Sequence, residues 1–410
     1  MKIHRISFLL FLFLPFVSIA QEAADYKFIR LEANRLNYDS TSPVMQHFFA
    51  RWRQTVETGT GNISIMHIGG SHVQAGTLPN TVRRRLMEAY PIHVGPRGMI
   101  FPYSAAAKCN NPSDYRIHCR ERMALTRCVY KEYDHPLGLC GIAITASDTL
   151  SEVQVILNET DIDYATNRIV VLGHSAEGVI PLLSIDGREV KPSYVSERTD
   201  RFVFNLKHAV DSFAVLLPCQ EGQQFTLTGL YLDNRRNGIS YHSIGVNGAA
   251  VPDYLRCRDF ARDLRLIRPD MVVFGIGIND ASGPNFDTAV FHRNYLQLID
   301  TIRSVNPDCA FIFVTNNDSY RKVGRRKYNV NTNGLLVREV FYRLADETGG
   351  AVWDQFEVMG GLRSMDQWRK AKLARDDRVH FTAAGYRIVG NLLADALLKS
   401  FSDYSEAIKQ

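Results

Sequence analysis

The amino-acid sequence predicts an α/β protein in which a parallel sheet, covered by helices on both faces, is interrupted by an inserted all-β sandwich. Three observations carry that expectation. Apolar, β-branched runs alternate with helix-like stretches near the start of the chain and again from about residue 237, the pattern of strands joined by helical crossovers. Between these regions, short segments rich in Val, Ile, Leu, Phe and Tyr are separated by turn residues, with no helix among them. At 410 residues the chain is also too long for one ordinary domain. The expected layout is a leader at 1–20, the α/β domain in two parts at 21–111 and 237–410, and the insert at 112–236.

Each element has its own signal. Met45 to Gly59 reads as a helical lead-in. Ile63 to Ile68 is a strand, followed by a glycine turn and a helix near Leu78 to Tyr90. The insert offers strands in "EVQVIL", "RIVVLG", "IPLLSIDG", "DRFVFNL", "SFAVLLP" and "FTLTGLYLDN". The α/β pattern then resumes with the strand "ISYHSIGV", one helix over "VPDYLRCRDFARDLRLI", and the buried strand in "PDMVVFGIGIND". The helix "FHRNYLQLIDTIRSV", the strand "CAFIFVTNN" and the helix "LVREVFYRLADETG" follow. A short strand in "AVWDQF" and a closing helix over "TAAGYRIVGNLLADALLKSF" complete the domain.

The N-terminus has the layout of an export signal. Lys2 and Arg5 precede a mostly apolar stretch from Ile6 to Ile19, and Val17-Ser18-Ile19-Ala20 offers a small-x-small cleavage site. The stretch is short for a spanning helix, no Cys follows it to carry a lipid, and no later segment is long and apolar enough to span a bilayer. An exported protein, periplasmic or extracellular and without stable membrane insertion, is therefore expected. Losing Lys2 and Arg5 lowers the formal charge from +5 to +3. Near-neutrality makes nucleic acid a poor partner, and the clusters Arg83-Arg84-Arg85 and Arg321 to Lys327 read as solvated helix faces or loops. The seven cysteines include no CxxC pair, so neither a zinc site nor a redox motif is indicated, and at most one disulfide is expected, among Cys109 to Cys140.

Parallel sheets carry their chemistry at the carboxyl ends of strands, and four stretches fall there. Ser71 lies in "HIGGSHVQAG", Gly248 in "GVNGAA", Asn279 in "GIGINDA", and Asp377 with His380 in "DDRVHFTAAGY". A serine hydroxyl is a weak nucleophile and needs a base, which His380 can supply while Asp377 fixes its tautomer. Spacing selects Asp377 over Asp376. The Ser71 N–H, the Gly248 N–H and the Asn279 amide would form an oxyanion hole, with glycine at 248 allowing close backbone approach. "VVLGHSAEG" imitates a nucleophile elbow at Ser175, but Glu177 stands where glycine is required and no helix follows. His67 and His72 read as structural.

The order Ser, Gly, Asn, then Asp-x-x-His before a final helix resembles the SGNH (GDSL-type) hydrolase family. "GGSH", "GVNGA", "GIND" and "DRVHFT" each look like one of its blocks, and the likeness covers about 270 residues, leaving the insert outside. The resemblance implies a three-layer α/β/α, flavodoxin-like domain. "GSHVQAG", "GPRGMIFPY", the insert and "SIGVNGA" look closest to the peptidoglycan O-acetyl esterase branch. That branch implies removal of acetyl groups from cell-wall sugars through an acetyl-enzyme, with an acetylated polysaccharide as partner and no metal or cofactor needed. Gly95, Arg97 and Gly98 become substrate-contact candidates. The chain departs from the family at Gly70, where an Asp that steadies the nucleophile loop is usual. Acetyl esterase or acetyltransferase action on another glycan stays open, as does a non-catalytic carbohydrate-binding homologue.

Overall fold

The computed structural model describes residues 23–409 except 92–93, 107–108, 110, 121–122, 148–150, 158–161 and 326. The export signal expected over residues 1–20 lies outside the described residues. Among the described residues no helix is long and apolar enough to cross a membrane.

Six strands form the central sheet: β1 (Leu36–Asn37), β2 (Asn62–Gly69), β3 (Gly238–Gly245), β4 (Met271–Gly275), β5 (Ala310–Val314) and β6 (Ala351–Trp353). Their order is β1-β6-β5-β4-β2-β3, parallel except for β1, which pairs antiparallel with β6 at the edge. The chain leaves β2 for β3 on one side and returns to β4 on the other. This reversal opens a crevice at the carboxyl ends of β2 and β4, where open α/β sheets bind ligands.

The strands are apolar throughout because both faces are covered. Met271 and Val273 of β4 pack in one layer with Trp52 of α1 (Pro43–Thr58), Leu86 of α2 (Thr77–Ala89) and Phe401 of a long C-terminal helix. Val272 and Phe274 point the other way, into a layer with Tyr295 and Phe341. Successive residues thus serve opposite layers, as the two-residue strand period requires. The resulting architecture is the expected α/β/α sandwich.

Residues expected to form one helix over Val251–Ile267 form two, Val251–Leu255 and α3 (Phe260–Ile267). Contact with the insert makes the break. Arg256 turns its guanidinium to the Tyr130 and Lys131 carbonyls at 2.9 and 3.1 Å, and the Asp259 N–H donates to Leu137 O at 3.1 Å. The remaining long helices are α4 (Thr288–Arg303), α5 (Asn333–Thr348) and α6 (Ala383–Ala407), which closes the domain against α2.

The insert is two antiparallel sheets, one of five strands and one of seven. Val153, Val155 and Val215 of the first share a core with Ile144, Val171 and Leu227 of the second. The strand Ser151–Ile156 alternates buried and half-buried residues, so it covers the core with one face only. Gly98–Ile100, ahead of the expected boundary at residue 112, pairs with Leu230–Leu232 in the seven-stranded sheet. No disulfide joins the cysteines among the described residues.

The two basic clusters differ from expectation. Arg83 and Arg85 are buried rather than solvated. Arg83 meets Asp114 at 3.1 Å beside a second buried pair, Arg97–Asp114, and Arg85 meets Asp395 at 2.6 Å. A buried guanidinium is tolerated only when paired in this way. The second cluster is no helix face but a β-hairpin, Tyr320–Gly324 with Lys327–Val330.

Candidate active site

β2 ends at Gly69, and the chain turns at Gly70 into the single helical turn Ser71–Gln74. The turn leaves no room for a side chain: a Cβ on Gly69 would stand 2.4 Å from Val73 Cγ2 and 2.7 Å from Gly275 O. Ser71 is thereby held at the crevice. His380 arrives from the loop before α6, whose first turn is capped by Thr382 Oγ1 accepting from the Gly385 N–H at 3.3 Å.

The structure brings these residues into one hydrogen-bonded line. Ser71 Oγ lies 2.7 Å from His380 Nε2, and His380 Nδ1 lies 2.9 Å from Asp377 Oδ2. Asp377 Oδ1 accepts the N–H groups of Val379 and His380, both at 2.9 Å. The turn between them puts Arg378 at φ +57°, which costs a non-glycine residue about 1 kcal/mol. Its guanidinium is clamped 5.0 Å from the rings of both Tyr320 and Tyr328. Burial raises the Asp377 pKa, but the His380 ring and the two N–H donors outweigh it and hold the carboxyl well below the usual carboxylate range. An ionised Asp377 keeps the proton on Nδ1 and leaves Nε2 facing Ser71 as a base. Asp376 projects into solvent, 96% exposed.

The opposite wall is built by the loops after β3 and β4. Asn279 Nδ2 donates to Ala249 O at 2.9 Å, which uses one of two amide hydrogens and leaves the other free. A Cβ on Gly70 would lie 3.1 Å from that nitrogen, so Asn279 packs where an aspartate at position 70 would begin. Gly248 has φ +86°, with no atom within 4 Å of a Cβ position. Glycine is needed there for its left-handed backbone rather than for close protein packing. Among the described residues no acceptor takes the N–H of Ser71 or of Gly248.

Three side chains that the sequence reading missed hold this wall. Gln74 Oε1 accepts the Asn247 N–H at 2.6 Å, Asp253 Oδ2 the Ala250 N–H at 2.8 Å, and Asp280 Oδ1 the Val251 N–H at 3.0 Å. Gln74 ties the Gly248 loop to the Ser71 turn, Asp280 ties it to the Asn279 loop, and Asp253 caps the helix that follows the Gly248 loop. Burial pushes the Asp280 pKa up to about 6. For Gln74 and Asp280 the signal in the sequence is nearness to Ser71 and Asn279. His67 is buried and His72 half-buried, and desolvation lowers both pKa values to about 3, so both rings are neutral. His72 Nδ1 is 2.9 Å from Tyr386 Oη, and its ring centroid is 5.1 Å from that of His380.

The proposed contacts at Gly95, Arg97 and Gly98 need correction. Arg97 is buried against Asp114 and donates to Met99 O at 3.0 Å, so its guanidinium is already engaged inside the protein. A Cβ on Gly95 would stand 2.6 Å from Ser240 Oγ, and one on Gly98 would overlap the His242 ring. All three residues serve packing between β3 and the insert. Ser175 lies at the end of an insert strand and donates only to Glu177 Oε2, at 3.2 Å.

Comparison with known proteins bears on the whole arrangement. Residues 225–388 match the model of the GDSL-like Lipase/Acylhydrolase family, a span that holds Gly248, Asn279, Asp377 and His380. A solved structure described as "Peptidoglycan O-acetylesterase in action, 5 min" is 20% identical, covers 89% of this chain and 97% of its own, and superposes with a TM-score of 0.73. An acetylxylan esterase from Geobacillus stearothermophilus is 22% identical over 40% of this chain and 73% of its own, with a TM-score of 0.30. A lipase/acylhydrolase from Enterococcus faecalis is 22% identical over 39% of this chain and 76% of its own, also at 0.30. No curated protein sequence matches the chain. The family match holds three of the four sequence blocks and the fold likeness spans both domains, so residues 225–388 are similar to the GDSL-like Lipase/Acylhydrolase family and the chain shares the fold of that O-acetylesterase structure.

Proposed function

We propose that the protein is an exported serine esterase that removes O-acetyl groups from a polysaccharide, with peptidoglycan as the substrate. Ser71 Oγ attacks the acetyl carbonyl as His380 Nε2 takes its proton. The carbonyl oxygen becomes an oxyanion facing the Ser71 and Gly248 N–H groups and the free Asn279 amide hydrogen. His380 passes its proton to the departing sugar oxygen, leaving an acetyl-enzyme. Water, activated by the same imidazole, then releases acetate and restores Ser71.

The observation that carries this reading is the Ser71–His380–Asp377 line at 2.7 and 2.9 Å. The packing of Asn279 against Gly70 also supports an enzyme over a non-catalytic binding homologue, because the side chain assigned to the oxyanion hole lies 3.1 Å from where an aspartate at position 70 would begin. Peptidoglycan is favoured by the likeness in fold that runs through both domains.

Acetate release from O-acetylated peptidoglycan and turnover of an aryl acetate test the reading. Ser71→Ala is expected to lose on the order of 10³-fold or more on both. Aryl acetate cleavage alone would keep the serine mechanism and move the substrate to another acetylated glycan. No Ser71-dependent release from either would leave a binding protein.

A further inference from the structure

The hairpin Tyr320–Gly324/Lys327–Val330 stands between β5 and α5, at the carboxyl edge of the sheet. It is tied to both walls of the site. On the triad side the Tyr320 N–H donates to Arg378 O at 3.1 Å, and Arg378 lies over Tyr320 and Tyr328. On the oxyanion side Asn331 Nδ2 donates to Ala281 O at 3.1 Å and Asn333 Nδ2 to Gly283 O at 2.8 Å, two and four residues past Asn279. Between the hairpin and that loop lies a cleft of about 540 Å³, lined by Ser282 and Pro284 on one side and by Tyr320, Arg321 and Lys322 on the other.

The hairpin carries Arg321, Lys322, Arg325 and Lys327, and among the described residues none of them has a carboxylate partner. By contrast, the buried and half-buried Arg83, Arg85, Arg97, Arg262 and Arg338 all meet aspartates. Val323, at the hairpin's end, is 57% exposed. Like charges held together on a two-stranded ribbon repel, and among the described residues no carboxylate pairs with them to offset that repulsion. A cationic rail beside a cleft attracts and orients an anionic chain.

We propose that this hairpin is a docking ledge for carboxylates on the acetylated glycan, aligning the polymer so that an acetyl group reaches Ser71. The inference rests on the glycan esterase reading and adds to it that the substrate is anionic. The carboxylates belong either to the sugars themselves or to peptides attached to them.

The test compares the native protein with the double variant Arg321→Glu, Lys322→Glu, using O-acetylated peptidoglycan strands with and without their stem peptides, and neutral acetylated xylan. Both positions lack partners, so the fold is not at risk. The expected result is a KM for peptidoglycan raised about tenfold, and a native KM that climbs with salt while the variant's does not. Arg53→Gln, on α1, removes a charge away from this face and serves as the control. Charge dependence that survives peptide removal assigns the carboxylate to the sugar, and dependence lost with the peptides assigns it to them. Equal KM values in variant and native protein, or an equal rise on xylan, would overturn the ledge. Binding of the same strands by Ser71→Ala, with and without the two hairpin changes, needs no turnover. It therefore decides the ledge even if aryl acetate turnover shows the esterase reading to be wrong.

Discussion

The two walls around Ser71 are built by different means. On the triad wall, the bonds made by Asp377 and His380 themselves stay within a few residues: Asp377 to Val379 and His380, and the Arg375 N–H to His380 O at 2.8 Å, while Tyr320 and Asn317 anchor the loop's Arg378 and Val379 carbonyls from outside. On the oxyanion wall, they join segments far apart in the chain: Asn247 to Gln74, Asn279 to Ala249, and Val251 to Asp280. The triad wall is a local motif that needs only to be delivered to the crevice. The oxyanion wall is a property of the tertiary structure, set by how three loops are tied together. Breaking a group on the first wall should abolish base catalysis. Breaking one on the second should weaken stabilisation of charge while leaving the base intact.

The largest effect is therefore expected on the triad wall. Asp377→Asn keeps an oxygen to accept the Val379 and His380 N–H groups, so the loop should hold its shape. Its amide would donate to Nδ1, however, placing the imidazole proton on Nε2 and removing the base that faces Ser71. A loss of about 10⁴-fold in kcat is expected. Steady-state kinetics on an aryl acetate would measure it, and a loss below about tenfold would mean that Asp377 only shapes the loop. On the other wall, Asn279→Ala removes a single donor. A fall in kcat of about 10²–10³-fold is expected, with KM for the aryl acetate nearly unchanged, because the oxyanion exists only in the transition state. A rise in KM with unchanged kcat would instead make Asn279 a ground-state contact.

The same contrast explains what the sequence disclosed. Asp377 and His380 were legible because an Asp-x-x-His spacing is itself the local structure, and the buried strands announced the sheet because both of its faces are covered. Gln74 and Asp280 were not legible, since a side chain that accepts from a distant backbone N–H has no periodic signature. The break at Arg256 is of the same kind: the stretch is helical in its own pattern, and carbonyls of the insert override it. Arg83 and Arg321 show the limit of reading charge. Both sit in basic runs, yet one is buried on Asp114 and the other stands on a cleft beside the site. Composition cannot separate them, because the partner that decides the outcome lies elsewhere in the chain.

The smallest expected effect tests the ties of the oxyanion wall directly. Asp280 is raised from its ordinary value to about 6 by burial, with its Oδ1 accepting the Val251 N–H and its Oδ2 buried without a partner among the described residues. A carboxyl whose folded pKa lies above its unfolded value binds a proton more readily in the native state. Between about pH 4 and pH 6 the folded protein therefore holds the extra proton, and stability contributed by this group falls as pH rises through that window. Asp280→Asn preserves an acceptor for Val251 and removes the titration. The variant should gain on the native protein as pH rises from 4 to 6, by on the order of 2 °C in Tm, and the difference should level off above pH 6. Parallel melting curves for the two proteins across this range would show that Asp280 is already ionised near pH 4. A carboxylate ionised throughout would hold the Val251 turn as a charged cap, and the two loops of the oxyanion wall would then be joined by a charge-assisted hydrogen bond rather than by a neutral one at low pH.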